Sequence, residues 1–217
     1  MQVSKKHRGQ IVWMILCACL AIQITSATAA EPEEEWTALF DGRTFDGWNG
    51  NLEWFRIEDG AIVGGSLDLP IPRNEFLASD KEYGDFELRV KFKLVGNHTN
   101  AGVQIRSRRI PDDSEMIGYQ ADLGNGWWGC LYDESRRRRM LVRADEQQLD
   151  QVLDREGWNE YRIRCEGRHV QLWINDHQTV DYTEPDESLE QRGLIGLQIH
   201  AGQPGEAWYK DIKIREL

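Results

Sequence analysis

Asp85-Phe86-Glu87-Leu88-Arg89-Val90-Lys91-Phe92-Lys93-Leu94 decides how the chain folds. Phe86, Leu88, Val90, Phe92 and Leu94 take every second position, and Glu87, Arg89, Lys91 and Lys93 fill those between. Only an extended backbone sends alternate side chains to opposite faces, so the stretch reads as a β-strand with one face in a core and one in water. A period of two held over ten residues leaves little room for a helix.

Outward from this strand the texture repeats. Similar runs occupy 101–107, 117–122, 160–166, 169–175, 194–200 and 207–215. Turn signals separate them: Asp41-Gly42, Asp46-Gly47, Asp59-Gly60, Gly64-Gly65 and Gly124-Asn125-Gly126. The nearest approach to a helical stripe is Asp186 to Gln191, which is too short to matter. Many short antiparallel strands joined by Gly, Asp and Asn turns predict an all-β, lectin-like sandwich or jelly roll of two antiparallel sheets.

The first 30 residues read differently. Lys5, Lys6 and Arg8 precede an apolar run from Ile11 to about Ile24, and Ala27-Thr28-Ala29-Ala30 offers a small-residue cleavage site. That order predicts a secretory signal peptide over 1–30, hence export to the periplasm or the extracellular space. The run is shorter than the roughly 20 residues of a membrane span, so no stable span is expected after cleavage. An uncleaved anchor and a lipoprotein form, with Cys19 in Leu16-Cys17-Ala18-Cys19 as the modified residue, are the less favoured alternatives. Residues 31–35 form an acidic leader, and 36–217 one domain, long enough to bury a core.

Without its leader the chain drops from 26 to 23 basic side chains against 37 acidic ones, a formal charge of −14. Such a surface repels phosphates and argues against nucleic acid; a neutral ligand such as a sugar suits it. Cys130 and Cys165 could pair after export, or each could serve as a buried small hydrophobe. No Cys/His pattern has zinc spacing. Oligomeric state has no sequence signal.

Alternation also sorts the polar residues by face. Val103 and Ile105 point inward, which sends Gln104 and Arg106 outward; Gln120 and Asp122 share a face, as do Gln198 and His200. Amide, guanidinium, carboxylate and imidazole groups on three strands of one sheet would converge on a surface suited to vicinal hydroxyls. Trp127, Trp128 and Tyr132 follow directly, and an aromatic face stacks on the apolar face of a sugar ring. Trp36, Trp48, Trp54, Trp158 and Trp208 are assigned to the core or to hairpins. The run Arg136 to Arg139, beside Asp133 and Glu134, reads as an ion-paired hairpin. The acidic triplet of laminarinase-type jelly rolls is absent, which argues against ordinary glycoside hydrolysis; Gly-x-Ser-x-Gly and a Gly-rich phosphate loop are absent as well.

Leu39-Phe40-Asp41-Gly42-Arg43-Thr44-Phe45-Asp46-Gly47-Trp48 resembles the opening of the 3-keto-disaccharide hydrolase domain family. The resemblance continues in order through Trp54 with Glu58-Asp59-Gly60, Tyr83 to Leu88, Asn100 to Ser107, Gly118-Tyr119-Gln120, Trp158-Asn159, Ile174-Asn175-Asp176, Gly193 to His200 and Asp211 to Ile214, covering about residues 36–217. Two departures stand out. The commoner pattern Gly-Tyr-Glu-x-Gln reads Gly118-Tyr119-Gln120-Ala121-Asp122, and the familiar Asn-Ser-Gly reads Asn100-Ala101-Gly102.

The resemblance implies a concanavalin-like jelly roll acting on a sugar already oxidised at C3. The ketone acidifies the C2 proton; a base removes it, the enolate expels the C1 substituent, and water addition completes net hydrolysis. Such chemistry needs one base, a cationic group near the enolate oxygen, and an acid for the leaving oxygen. On this reading Arg106 faces the enolate oxygen, Asp122 or His200 is the base, and Glu115 or Tyr132 protonates the leaving group. Gln104, Gln120 and Gln198 hold hydroxyls, Trp127 and Trp128 stack, and Tyr119 joins the substrate contacts through its motif. No cofactor is required; a divalent metal on Asp122, Glu115 and His200 could replace the arginine. A sugar-binding module without catalysis is the alternative, since this fold serves lectins as readily as enzymes.

Overall fold

The computed structural model describes residues 35–217; the predicted signal peptide over 1–30 and residues 31–34 of the predicted acidic leader lie outside the described residues. Within them the strands run β1 (Thr37–Ala38), β2 (Trp48–Asn49), β3 (Phe55–Glu58), β4 (Ala61–Ser66), β5 (Glu75–Ser79), β6 (Phe86–Val95), β7 (Ala101–Arg109), β8 (Met116–Leu123), β9 (Leu131–Glu134), β10 (Arg139–Val142), β11 (Asn159–Glu166), β12 (His169–Ile174), β13 (His177–Thr183), β14 (Leu194–Ile199) and β15 (Gly205–Glu216). One helix, α1 (Glu146–Leu149), lies between β10 and β11. Asp145 caps it by accepting from the backbone N–H groups of Gln147 and Gln148.

The strands form two antiparallel sheets. One has the order β13-β12-β11-β6-β15-β4-β3 with β1 added on β15; the other has the order β10-β9-β8-β7-β14-β5-β2. Phe86, Leu88, Val90 and Phe92 face Val103, Ile105, Leu197 and Ile199 in one continuous core. Each such side chain contributes about 1.5–3 kcal/mol by leaving water. The alternation read in 85–94 is thus the inner and outer face of β6 near the middle of its sheet, and the jelly-roll expectation holds.

Every predicted run is a strand in the structure. Strands β4 and β5 escaped notice because they are buried on both faces and show no alternation. Strands β3, β9 and β10 have four residues each, too few for a period to register. Residues 186–191 form a turn, with Asp186 accepting from the backbone and hydroxyl of Ser188. Of the two readings of Cys130 and Cys165, the structure has the buried, unpaired one.

One irregularity positions the site. The pairing of β7 with β8 shifts register between Ile105 and Arg108, and Arg106 adopts a left-handed backbone with φ of 48°. A bulge of this kind bends a hairpin and re-aims side chains. Beyond it the β7–β8 hairpin lies across the outer face of its own sheet. Arg109 donates to the carbonyls of Asn49 and Phe76, Met116 packs on Phe76 and Ala78, and the Asn74 amide donates to Glu115 at 2.9 Å.

Candidate functional site

Directly paired residues on antiparallel strands share a face. Tyr132, Gln120 and Gln104 form one such row across β9, β8 and β7; Asp122, Gly102 and Gln198 form the next across β8, β7 and β14. Both rows look away from the core. The overlying hairpin covers the β14 end and leaves a cavity of about 260 Å³ at the other, lined by Asn74, Asn100, Gln120, Asp122, Trp127, Tyr132, Glu134 and His200. Ligand sites for drug-sized molecules run from about 300 Å³ upward, so this volume suits something near a single sugar ring.

Its electrostatics are those of a partly dried acidic pocket. Asp122 is 2% exposed, and burial holds its carboxyl well above the usual range; a hydrogen bond from Gln120 Nε2 to Oδ1 at 2.6 Å opposes the shift, and the nearby Glu134 charge adds to it. Asp122 Oδ2 has no hydrogen-bond partner among the described residues. Burial likewise raises Glu134, against a hydrogen bond from the Ser135 N–H, and raises Glu115, with the Glu134 charge next in weight. Asn74 ties Glu115 to the loop carrying His200, because its Oδ1 accepts from Ala201 N at 2.9 Å. His200 itself is exposed, with Nδ1 2.7 Å from the Ala201 carbonyl. A carbonyl only accepts, so Nδ1 carries the hydrogen and Nε2 of the neutral ring carries a lone pair. Trp127 meets Tyr132 edge to face, ring centres 5.8 Å apart.

Asp122, His200, Tyr132, Gln120 and Trp127 therefore line one cavity, and Glu115 reaches it through Asn74. Five other predicted residues lie elsewhere. The bulge sends Arg106 toward the opposite sheet, where its guanidinium donates to the carbonyls of Gly84 and Gly167, to Gln191 Oε1 and to Asp85 Oδ1. Its donors are engaged there, so it cannot meet an enolate in this cavity. Tyr119 points into the core and donates to Glu184 at 2.8 Å. Trp128 is also a core residue, stacked on Phe92 with ring centres 6.2 Å apart, because the turn at 124–129 sends it inward. Gln104 lies wholly beneath the cavity floor, and Gln198 is shut in under the hairpin with neither amide atom partnered among the described residues.

Sequence reading missed Asn74, Asn100 and Glu134. Glu134 had a usable signal, standing two residues after Tyr132 and therefore on the same face. Asn74 had none, since a loop rather than strand register brings it in, and Asn100 had only its place in the Asn100-Ala101-Gly102 motif. Asp122, Glu115 and His200 do not make a three-ligand metal cluster; among the described residues no group of three His, Cys, Asp or Glu side chains is arranged to hold an ion. The Arg136–Arg139 run does pair with carboxylates, but with buried ones: Arg136 and Arg137 bind Asp133, and Arg137 also binds Glu184.

The family model of the 3-keto-alpha-glucoside-1,2-lyase-like domain matches residues 35–215. Two Parabacteroides distasonis proteins provisionally assigned as glycosyl hydrolases share the fold. One is 20% identical with a TM-score of 0.64, covering 85% of this chain and 95% of its own; the other is 22% identical with a TM-score of 0.63, covering 84% and 100%. The Bacillus subtilis carbohydrate-binding module CBM66 is similar at a TM-score of 0.58 and 16% identity, covering 78% of this chain and 96% of its own. No curated protein matches the sequence.

Proposed function

The chain belongs to the 3-keto-alpha-glucoside-1,2-lyase-like domain family, and from that premise we propose that it cleaves 3-keto-glycosides outside the cytoplasm after loss of residues 1–30. His200 Nε2 takes the C2 proton, and the C2–H electrons form an enolate whose oxygen accepts a hydrogen bond from protonated Asp122. Collapse of the enolate breaks the C1–O bond, the leaving oxygen takes a proton from Glu134, and water then adds across C1=C2 to give the free 3-keto sugar. Tyr132 and Asn100 hold hydroxyls, and Trp127 stacks on the ring.

The observation that carries this reading is Asp122: a buried carboxyl with one oxygen fixed by Gln120 and the other unpartnered, in the same cavity as a histidine of defined tautomer. A carboxylic acid kept neutral by burial donates a hydrogen bond where charge develops, the role that Arg106 cannot fill. A second reading, sugar binding without turnover, draws support from the cavity lining, which contains no Lys or Arg.

An NMR time course of the mature domain with a 3-keto-disaccharide, against the matched unoxidised sugar, separates the two. Release of 3-keto-glucose, lost in Asp122→Asn and His200→Gln proteins that still fold, supports cleavage. Chemical-shift changes with either sugar and no turnover sink cleavage and leave the binding module.

A further inference from the structure

We propose that Ser107, Gln104 and Gln120 form a directed hydrogen-bond chain that selects the reactive oxygen of Asp122, making all three positioning residues of the site. The inference rests on the reading of Asp122 as proton donor and adds two residues, Ser107 and Gln104, that lie outside the cavity lining.

The chain begins on the far side of the bulge. The Ser107 hydroxyl donates to Gln104 Oε1 at 2.5 Å, Gln104 Nε2 donates to Gln120 Oε1 at 2.8 Å, and Gln120 Nε2 donates to Asp122 Oδ1 at 2.6 Å. The Ser107 hydroxyl also lies 3.0 Å from the Ile105 carbonyl and 3.4 Å from that of Tyr119. An amide cannot reverse one end without reversing the other, so with the hydroxyl donating to Gln104 the same sense runs through both amides to the carboxyl. Asp122 Oδ1 is then an acceptor, and the proton belongs on Oδ2, the atom without a protein partner.

Two glycines make room for the two ends. A Cβ on Gly102 would come 2.7 Å from Cγ and Cδ of Gln120, and one on Gly118 would come 2.2 Å from Ser107 Oγ. Ser107, Gln104 and Gln120 are at most 2% exposed. Apolar side chains would fill that space without needing partners, so a hydrogen-bonded polar chain ending on a site carboxyl has a use beyond packing. Other groups facing Asp122 are Glu134 and Tyr132 on β9, Cys130 before it, Tyr161 on β11 of the opposite sheet, and His200 across the cavity. Tyr161 donates to the Asp122 backbone carbonyl at 3.0 Å, and its hydroxyl leaves the carboxyl untouched.

The test uses the full chain. Ser107→Ala, with Gln104→Met as a second variant that keeps the volume, is expected to lower kcat about tenfold with KM unchanged. In substrate-free protein, NMR should show the Gln120 side-chain amide and Asp122 carboxyl signals moving together in both variants. Neither variant should cost further turnover in an Asp122→Asn background, because a residue acting through Asp122 has nothing left to position. Gln120 and Asp122 signals unmoved by Ser107→Ala and Gln104→Met, or an equal rate loss in the Asp122→Asn background, would overturn the chain. Should the wild-type protein leave 3-keto-disaccharide intact, the cleavage reading fails by itself and the NMR signals still decide the chain.

Discussion

Protonated Asp122 makes turnover depend on pH. Raising the pH strips it of its proton, so turnover should fall on the alkaline side. Asp122→Asn should reduce kcat by about 10²–10⁴-fold and flatten the alkaline limb, which a pH series of initial rates reads directly. Stability carries the same sign. A carboxyl that holds its proton more tightly folded than unfolded stabilises the fold at low pH, and that contribution declines as pH rises from the ordinary carboxylate range through the raised value. Chemical denaturation across that window should show a decline in wild type that is missing from Asp122→Asn. Asp122 and His200 were legible from alternation and residue type alone. The tautomer of His200 and the proton on Asp122 were not, because the first depends on how the backbone turns at Ala201 and the second on burial by the rest of the fold.

The β7–β8 hairpin is the element on which the site turns, and its bend depends on two residues. Arg106 locks the bend through four hydrogen bonds to the opposite sheet and to the 191 segment. Arg106→Ala should therefore cost stability, about 3 kcal/mol, seen as a lower denaturant midpoint with an unchanged slope. Gly118, at φ of 152°, sits where any side chain would strike Ser107. Gly118→Ala should lose about 1–3 kcal/mol, and it should also disturb the Gln104 and Gln120 side-chain amide signals, since Ser107 must shift. The bulge also explains the misreading of Arg106. Period-two counting assumes unbroken register, and one left-handed residue reverses the facing of its own side chain.

Across the whole molecule, a buried polar knot joins the two sheets at one edge. Glu184, just after β13, accepts from Tyr119 on β8, from Arg137 in the β9–β10 turn and from Tyr182 on β13. Burial pushes the Glu184 carboxyl up, but the Arg137 pair, the Asp186 N–H and the two phenols outweigh it and bring it down to about 2. A depressed carboxyl stabilises the fold above its ordinary value of 4.5 and loses that contribution as pH falls toward 2. Glu184→Gln should remove about 3 kcal/mol at neutral pH and abolish that part of the acid-induced loss, measured by denaturation at pH 7 and pH 3. Burial also pushes the Cys165 thiol up to about 12 and raises Cys130, so neither should label with a thiol reagent until the protein unfolds. Intact-mass analysis before and after denaturant checks this. No helix among the described residues is long and apolar enough to cross a membrane. By itself the sequence determined the all-β class, the inner and outer faces of its long strands and the family, because alternation and ordered turn motifs are local properties of the chain. Only the tertiary structure decided which polar residues share a cavity: a bulge at Arg106, a hairpin laid over its own sheet and loops that deliver Asn74 and Asn100 are contacts between distant segments, and no local period encodes them.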